Sequence, residues 1–560
     1  MSSQEDEGIV AALTRLQAEE GWLSAHALSA LAAELGVPKH RLESVSTFYT
    51  HFRREPPRGV EVEVEVCRDL ACRMAGGARA CSRLGAIAKE RSGKGPGEME
   101  IREVSCLGRC DQAPAAAIGE RIFSANDANE IEDAVDAYAD DSADEISTLT
   151  SISRPIGEWA DADPYSGEDA SGEAYRVLRD VLTAGSREAP IERLEAAGLR
   201  GMGGAGFPTA RKWSLVAAEA AQPKHVICNA DESEPGTFKD RELLHDLPHL
   251  VIEGMAIAAY CVGASRGTVF IRHEYGPERH RLEAAIAAAR QAGALGCGLF
   301  GSDFSFDLDV FVSPGGYILG EETALLECME GRRGEPRNKP PFPGNKGLYG
   351  QPTVINNVET LVHAVSIVGR GADWWHGLGR EGFSGHKFMS ISGDVARPGV
   401  SLFAVGTPLA EVLEAHGGMK NDAAVQAIAP GGASSNFLGP EALALPLDFD
   451  ALAKAGTMLG SGAAVFVAEG RDLLDIGLSI TRFFRNESCG KCVPCRLGSE
   501  KAVALIEAEG SIDAKTEGVL RSLNETMMQT SICGLGQVAL GPLLSIVDRF
   551  PEACTPGEPS

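Results

Sequence analysis

The sequence predicts a multidomain α/β protein with helical segments at its two ends, and three observations support that prediction. First, 560 residues are enough for about three to five domains. Second, the hydrophobic and charged fractions, 44% and 23%, are typical of a soluble globular protein. Third, short strand patterns alternate with helical patterns in the middle of the chain, which is typical of α/β folds.

The composition excludes several functional classes. A formal net charge of −27 argues against nucleic acid or anionic lipid as a partner. No apolar run is long enough for a transmembrane helix, and the polar start MSSQEDEG lacks the pattern of a secretory signal. We therefore expect a cytoplasmic protein with no membrane partner. The 14 cysteines of such a chain indicate metal or redox chemistry rather than disulfides.

Two domains are predicted in the first quarter of the chain. Residues 1–55 form a helical N-terminal segment, because their leucines recur at helical spacing. Residues 56–138 form a small α/β domain. Its first strand, Val60 to Val66, alternates valine with glutamate and is therefore half-buried. A second strand is predicted at Ile101 to Val104, and a cysteine pair follows each strand.

These two pairs have the spacing of a metal or cluster site. They are Cys67 and Cys72 (C-x4-C), then Cys106 and Cys110 (C-x3-C). Zinc sites usually use C-x2-C pairs, whereas wider loops are typical of a [2Fe–2S] cluster, whose irons take four thiolates. We expect a [2Fe–2S] cluster, with structural zinc or unliganded thiols as alternatives. Cys81 belongs to neither pair and is predicted to be a buried structural cysteine.

Residues 139–173 are rich in Asp, Ser and Gly and are predicted to be a linker. The domain that follows, residues 174–375, contains the stretch Gly198 to Trp213, GLRGMGGAGFPTARKW. Glycine lacks Cβ, so this backbone can lie directly against a ligand, and its N–H groups can surround a phosphate at a helix N-terminus. The alternative is a glycine-rich surface loop.

Short strands and helices alternate through this central domain. Strands are predicted at His225 to Cys228, Thr268 to Ile271 and Asp307 to Val312. The alternation predicts a twisted α/β sheet. A polar cluster, Asn229 to Gly236, follows the first of these strands, and open α/β sheets bind ligands at such positions.

Three further stretches of the central domain carry candidate binding groups. Glu321 and Glu322 follow a glycine turn; they are either the first turn of a helix, which the helix dipole favours, or acceptors for ligand hydroxyls. A proline-rich loop carries Lys339 and Phe342. A strand-to-helix junction adds a pair of amides, Asn356 and Asn357.

The last third of the chain divides into two parts. Residues 386–450 are predicted to be a small α+β module with no obvious chemistry of its own. Residues 465–550 are predicted to be helical and contain a C-x2-C-x2-C motif. Three thiolates so closely spaced suit three corners of a [4Fe–4S] cluster, with zinc as the alternative. The candidate ligands are Cys489, Cys492, Cys495 and, more distant, Cys533.

Five motifs, taken in their order along the chain, carry a resemblance. They are the Gly-rich loop, NADESEPGTFKDRELL, GEET, NKPPFPGNKGLYG with INNVET, and ESCGKCVPC with SICGLG. They resemble the NADH-oxidising flavoprotein subunit of respiratory complex I and its soluble relatives. The N-terminal cysteine pairs, with CLGRCDQAP and STFYTHF, resemble the thioredoxin-like [2Fe–2S] subunit of the same enzyme.

The resemblance implies a fold and a set of cofactors. The fold is a helical lead-in, a thioredoxin-like [2Fe–2S] domain, a Rossmann-like domain for FMN and NADH, a β-grasp (SLBB-like) insertion and a C-terminal helical bundle carrying a [4Fe–4S] cluster. No catalytic acid or base is implied, because the flavin exchanges the hydride with NAD.

The resemblance also implies roles for residues at matching positions. At Gly201, Gly203 and Gly204 the backbone would approach FMN and NADH closely. The flavin phosphate and ribityl chain would be held by Lys212, Asn229, Asp231, Asn356 and Asn357. The adenine would stack on Phe207 and Phe342, and the nucleotide would bond to Glu234 and Glu322. The cofactor pocket would be lined by Tyr317, Glu321 and Lys339. The family often has a further aromatic near the adenine, where this chain has Leu215.

The fusion of both parts in one chain resembles the beta (diaphorase) subunits of cytoplasmic NAD-dependent formate dehydrogenases. The partner implied is a molybdenum or tungsten bis-pterin alpha subunit. Diaphorase subunits of NAD-reducing [NiFe] hydrogenases and the NADH dehydrogenase subunit of complex I are the alternatives. From a different class, a zinc-binding structural scaffold is also open, and metal analysis separates it from the enzymes.

Overall fold

The computed structural model describes residues 8–56, 61–92, 98–139, 159–166 and 174–554. Most of the predicted linker therefore lies outside the described residues. The exception, residues 159–166, packs on the central domain: Trp159 Nε1 donates to Asp246 Oδ2 at 2.9 Å. No helix in these ranges is long and apolar enough to cross a membrane.

The chain begins with three helices, α1 (Ile9–Glu20), α2 (Ala25–Glu34) and α3 (Lys39–Ser46). Gly21 ends α1 with a φ of 76°, a conformation that glycine adopts without strain. Ser24 caps α2 by accepting a hydrogen bond from the Ala27 N–H at 3.0 Å. The apolar faces of these helices share a core with the central domain and the C-terminal helices.

The next domain is a mixed four-stranded sheet with the order β2-β1-β3-β4. The strands β1 and β2 are parallel, and the other two pairs are antiparallel. The strands are β1 (Glu61–Cys67), β2 (Glu98–Val104), β3 (Ala115–Ile118) and β4 (Arg121–Ser124). The helices are α4 (Leu70–Met74), α5 (Gly77–Arg91) and α6 (Ala128–Ala139). Strands β3 and β4 were not predicted from the sequence; β3 is buried throughout and shows no alternation.

The central domain has a four-stranded parallel sheet with the order β7-β6-β5-β8. The strands are β5 (His225–Ala230), β6 (Arg266–Arg272), β7 (Asp307–Ser313) and β8 (Thr353–Asn357). The helices are α7 (Arg176–Ala184), α8 (Glu188–Ala197), α9 (Thr209–Ala218), α10 (Lys239–Asp246), α11 (Pro248–Val262), α12 (Gly276–Gln291), α13 (Glu322–Met329), α14 (Pro343–Lys346), α15 (Val358–Arg370) and α16 (Ala372–Leu378). All four strands end at one edge, which gathers the polar stretches predicted to bind a ligand.

A second four-stranded sheet follows, with the order β10-β9-β12-β11. Its strands are β9 (His386–Gly393), β10 (Gly399–Ala404), β11 (Val425–Ala429) and β12 (Ala463–Ala468), with helices α17 (Leu409–Ala415) and α18 (Phe449–Lys454). This unit, residues 386–468, is called the insertion module below. The chain ends in helices α19 (Leu473–Asn486), α20 (Val493–Glu509), α21 (Ala514–Thr530), α22 (Gly534–Val538) and α23 (Gly541–Arg549).

Candidate functional site

The Gly-rich loop connects α8 to α9 and is fixed by backbone hydrogen bonds. The Gly201 N–H donates to the Phe207 carbonyl at 2.8 Å, and the Met202 N–H donates to Thr360 Oγ1 at 2.9 Å. A Cβ at Gly203 would lie 2.9 Å from the Cβ of Asn357. Gly204 has a φ of 119°, which disfavours other residues. Glycine is therefore required where the loop meets the end of β8.

The polar loop after β5, residues 229–236, is called the acidic loop. Asn229 Nδ2 donates to the Gly320 carbonyl at 2.9 Å. Burial raises the pKa of Asp231 to about 7, and its buried Oδ1 has no hydrogen-bond partner among the described residues. An unpaired buried acceptor of this kind fits a ligand hydroxyl or ring N–H. Glu234, also with a pKa raised by burial to about 7, accepts from the N–H of Ser434 at 2.8 Å.

The paired carboxylates lie at the start of α13. Glu321 caps this helix, and its Oε2 accepts from the N–H of Thr323 at 2.9 Å. Lys339 Nζ donates to both carboxylates, 2.8 Å from Glu321 Oε1 and 2.7 Å from Glu322 Oε1. Lys212 Nζ lies 3.9 Å from Glu322 Oε2, and burial lowers its pKa. Two lysines and two carboxylates therefore meet at one edge of the central sheet.

The two asparagines occupy the junction of β8 and α15. Asn356 Oδ1 accepts from Trp213 Nε1 at 2.8 Å. Asn357 Oδ1 caps α15 by accepting from the Glu359 N–H at 3.0 Å, and its Nδ2 donates to Asp240 Oδ2 at 2.6 Å. Both amides are thus oriented by buried partners, as residues that hold a ligand must be.

The predicted aromatic residues differ in exposure. The exposed fractions of Phe207 and Phe342 are 40% and 54%, and each precedes the N-terminus of a helix, α9 and α14. Exposed rings of this kind are available to stack on a planar ligand. Leu215 is 53% exposed. Tyr317, in contrast, packs against Phe483 with ring centroids 5.1 Å apart.

The first four cysteines come together in a buried cluster. Cys67 lies at the end of β1, within hydrogen-bonding reach of both Cys72 and Cys106. The Sγ atoms of Cys106 and Cys110 are 3.6 Å apart. Hydrogen bonds from Cys110 and Cys67 lower the pKa of the Cys106 thiol. Cys81 is half-buried, so the expectation of a buried cysteine is wrong there.

Backbone N–H groups point at three of these thiols. The donors are Ala115 to Cys72 at 3.4 Å, Gly108 to Cys106 at 3.4 Å and Gly236 to Cys110 at 3.3 Å. Such bonds stabilise cluster thiolates and tune their potential. In the described ranges, no group of three or more His, Cys, Asp or Glu side chains has the arrangement needed to hold a single metal ion.

The second cysteine set joins two helices of the C-terminal bundle. Cys492 and Cys533 lie at the N-termini of α20 and α22, and Cys495 is buried in the first turn of α20. A Cβ at Gly536 would lie 2.9 Å from the Cβ of Cys495, so the helices approach closely. Burial raises the pKa of Cys495 to about 11 and that of Cys533 to about 12. Cys489 packs against the same apolar cluster as the other three.

Sequence reasoning missed the part that the insertion module plays in this site. Ser434 is the clearest case, because it binds Glu234 although the two residues are 200 positions apart. The only sequence signal was the glycine turn that begins at Pro430. The sequence predicted no obvious chemistry for this module, and what the structure adds is a structural contact from the module to the acidic loop.

Family models match four parts of the chain. They describe a thioredoxin-like [2Fe-2S] ferredoxin (residues 2–139), the Nuo51 FMN-binding domain (194–366), an SLBB domain (389–436) and the NADH-ubiquinone oxidoreductase-F iron–sulfur binding region (475–556). These matches and the geometry above define the class of the protein: an NADH-oxidising iron–sulfur flavoprotein with two cluster domains.

Individual relatives narrow the class to a family. The chain is 42% identical over 383 residues to an F-type subunit of the NADH-quinone oxidoreductase of Rhizobium meliloti, covering 68% of this chain and 91% of the relative. It is 39% identical over 392 residues to HndC, a subunit of the NADP-reducing hydrogenase of Solidesulfovibrio fructosivorans, covering 69% and 80%. The chain belongs to the family of the NADH-oxidising flavoprotein subunits of complex I and the related hydrogenase diaphorase subunits.

A solved structure matches almost the whole chain. This is an NAD+-reducing [NiFe]-hydrogenase in the H2-reduced state, with a TM-score of 0.85 and 32% identity over 99% of this chain and 94% of the other. The predicted fold class is confirmed, as are the cofactors FMN, NAD, [2Fe–2S] and [4Fe–4S].

Proposed function

We propose that this chain is the diaphorase subunit of a soluble, cytoplasmic NAD-dependent formate dehydrogenase, linked through its clusters to a molybdenum or tungsten bis-pterin alpha subunit. The observation that supports a redox chain best is the hydrogen bond from Gly236, in the acidic loop, to Cys110. This bond brings the acidic loop, at the end of the central sheet's strands, against Cys110 of the first cysteine cluster. Bound flavin exchanges electrons with nicotinamide in pairs, and iron–sulfur clusters carry them singly.

The residues around the edge of the central sheet then have separate roles. The Gly-rich loop, through Gly201, Gly203 and Gly204, lets the backbone approach the ligand. Lys212 supplies positive charge for a phosphate. The polar side chains that orient the flavin are Asn229, Asp231, Asn356 and Asn357. The side chains that contact the nucleotide or line the pocket are Phe207, Glu234, Tyr317, Glu321, Glu322, Lys339 and Phe342.

The eight clustered cysteines hold the two iron–sulfur groups. The [2Fe–2S] ligands are Cys67, Cys72, Cys106 and Cys110, and the [4Fe–4S] ligands are Cys489, Cys492, Cys495 and Cys533. The buried N–H donors around the first set and the close approach of α20 and α22 around the second support this division.

The choice of formate dehydrogenase rests on resemblance in SICGLGQ and TARKW and on the acidic character of the chain. A hydrogenase diaphorase is the second candidate, favoured by the match of nearly the whole chain to an NAD+-reducing [NiFe]-hydrogenase. Purification of the native complex tests both. A molybdopterin subunit supports formate dehydrogenase, a nickel–iron subunit supports hydrogenase, and membrane subunits support complex I.

Metal and flavin analysis tests the enzyme class itself. We expect about six iron atoms and one FMN per chain. Zinc in place of iron, with a colourless protein, contradicts the proposal and favours a zinc scaffold.

A further inference from the structure

The insertion module binds the acidic loop at several successive residues. Ser434 Oγ donates to Glu234 Oε1 at 2.5 Å, and the Ala433 N–H donates to the Pro235 carbonyl at 3.1 Å. The hydroxyls of Thr237 and Ser461 lie 2.7 Å apart. The module therefore holds the C-terminal end of the loop that carries Asp231, at Glu234 and Pro235, and the residue that follows the loop, Thr237.

The module also lies against the Gly-rich loop. A Cβ at Gly204 would lie 3.9 Å from the backbone of Gly460 and Ser461. Gly236, where the acidic loop ends, has a φ of 98°, and a Cβ there would lie 2.9 Å from Val465 Cγ2 of β12. The backbones of the two units are thus in contact at two glycines.

A buried lysine of the module contacts the central domain. Lys387, on β9, is fully buried. Its Nζ donates to Glu359 Oε2 at 2.5 Å and to the Ser461 carbonyl at 3.1 Å. Glu359 lies on α15 and is also fully buried. Since a buried charge without a partner is very costly, this pair fixes the module on α15.

The network continues to Asn357. Lys239 Nζ lies 3.0 Å from Glu359 Oε2 and 2.7 Å from Asp240 Oδ1. The other oxygen of Asp240 accepts from Asn357 Nδ2. Two ammonium groups thus balance two carboxylates, and His363, 3.4 Å from Glu359, has its pKa lowered by burial. Removing Lys387 leaves two carboxylates to share one lysine.

We propose that the insertion module supports the acidic loop and the Gly-rich loop of the flavin site from behind, and that Lys387 is a positioning residue for Asn357. Retention of FMN then depends on docking of the module, although no module residue is proposed to touch the flavin. This inference rests on the proposed flavin site. The inference gives a structural role to the insertion module, for which the sequence alone predicted none.

The test uses full-length protein loaded with FMN and both clusters, and it measures the FMN dissociation constant by the fluorescence of released flavin. We expect Lys387→Met to weaken FMN binding about tenfold or more, because the buried network loses a charge. The control is Lys420→Met, at an exposed lysine of the same module, which should bind FMN as the wild type does. Iron content, unchanged in both, reports that the cluster domains are intact.

A double variant separates the positioning of Asn357 by Lys387 from the balance of charge in the buried network. Lys387→Met with Glu359→Gln leaves one lysine and one carboxylate, so it tests folding without a buried charge imbalance. We expect it to fold and still to release FMN more readily than the wild type. Wild-type affinity in the double variant, or in a folded Lys387→Met protein, overturns the inference.

Asn357→Ala distinguishes this inference from the site on which it rests. If Asn357→Ala releases FMN and Lys387→Met does not, only the inference fails. If Asn357→Ala retains FMN fully, the proposed flavin site is wrong and the inference fails with it.

Discussion

The backbone N–H of Gly236 lies 3.3 Å from the Sγ of Cys110, so the acidic loop of the central sheet ends on a thiol of another domain. The loop is held from the other side by Ser434. It therefore lies between the first cysteine cluster and the insertion module. A change in the loop, in the cluster or in the module should alter flavin binding.

The first prediction concerns Gly203, whose added Cβ would lie 2.9 Å from the Cβ of Asn357. We expect Gly203→Ala to weaken FMN binding while both clusters assemble, since overpacking of this kind costs about 1–3 kcal/mol. Gly518→Ala is the matched control, because it lies inside α21 with nothing within 4 Å of its added Cβ. Equal FMN affinity in the two variants would falsify the assignment of the loop.

The second prediction concerns nucleotide preference. We expect Glu322→Ala to lower the ratio of kcat/KM for NADH over NADPH by about tenfold, because a carboxylate beside the ribose repels a 2′-phosphate. Removing Glu322 also removes one of the two carboxylates that Lys339 bonds, at 2.7 Å, although its bond to Glu321 remains. Steady-state kinetics with both nucleotides measure the ratio, and an unchanged ratio means that Glu322 does not face the ribose.

The third prediction separates the two cluster sites. Cys495→Ser should abolish the [4Fe–4S] signal in electron spin resonance and remove about four iron atoms per chain. The [2Fe–2S] signal should stay, because Cys106 and its neighbours lie in a separate domain. Loss of both signals, or of neither, contradicts the division of the cysteines.

The fourth prediction concerns pH and stability. Burial raises the pKa of Glu253 to about 7, above the usual value near 4.5. Its stabilising contribution is therefore complete below about pH 4.5 and is lost as the pH rises to about 7, which amounts to about 3 kcal/mol at most. Tyr165 donates to it at 2.7 Å, and the Leu178 N–H at 2.8 Å; glutamine can accept both bonds at Oε1.

We therefore expect Glu253→Gln to melt at a higher temperature than the wild type at pH 8 and to show a flatter melting profile between pH 5 and 7. The matched control is Glu414→Gln, at an exposed residue of α17, which should follow the wild type. Parallel profiles for all three proteins would show that Glu253 is ionised throughout this range.

The fifth prediction concerns the partner. The isolated chain should reduce artificial electron acceptors with NADH but should not oxidise formate, because the proposal assigns formate chemistry to a separate subunit. Spectrophotometric assays with each substrate test this. Formate turnover by the chain alone overturns the partner argument.

Local patterns in the sequence predicted much of the site. The strand that leads to Cys67 was predicted from its alternation and is β1 in the structure. The strand-to-helix junction predicted at Asn356 and Asn357 is the end of β8. Contacts between distant segments left no such pattern. Lys387 and Glu359 are 28 residues apart and in different units, and nothing in either local sequence indicates that they meet.

The C-terminal cysteine set has a consequence for the stability of newly made chains in the cell. Helix α22 has five residues, which is too short to be stable alone in water, and Cys533 stands at its start. Assembly of the cluster would tie this turn to Cys495 on α20. Newly made chains that have received no iron would lack this link between α20 and α22, so the supply of iron, as well as synthesis, would influence how much folded enzyme accumulates.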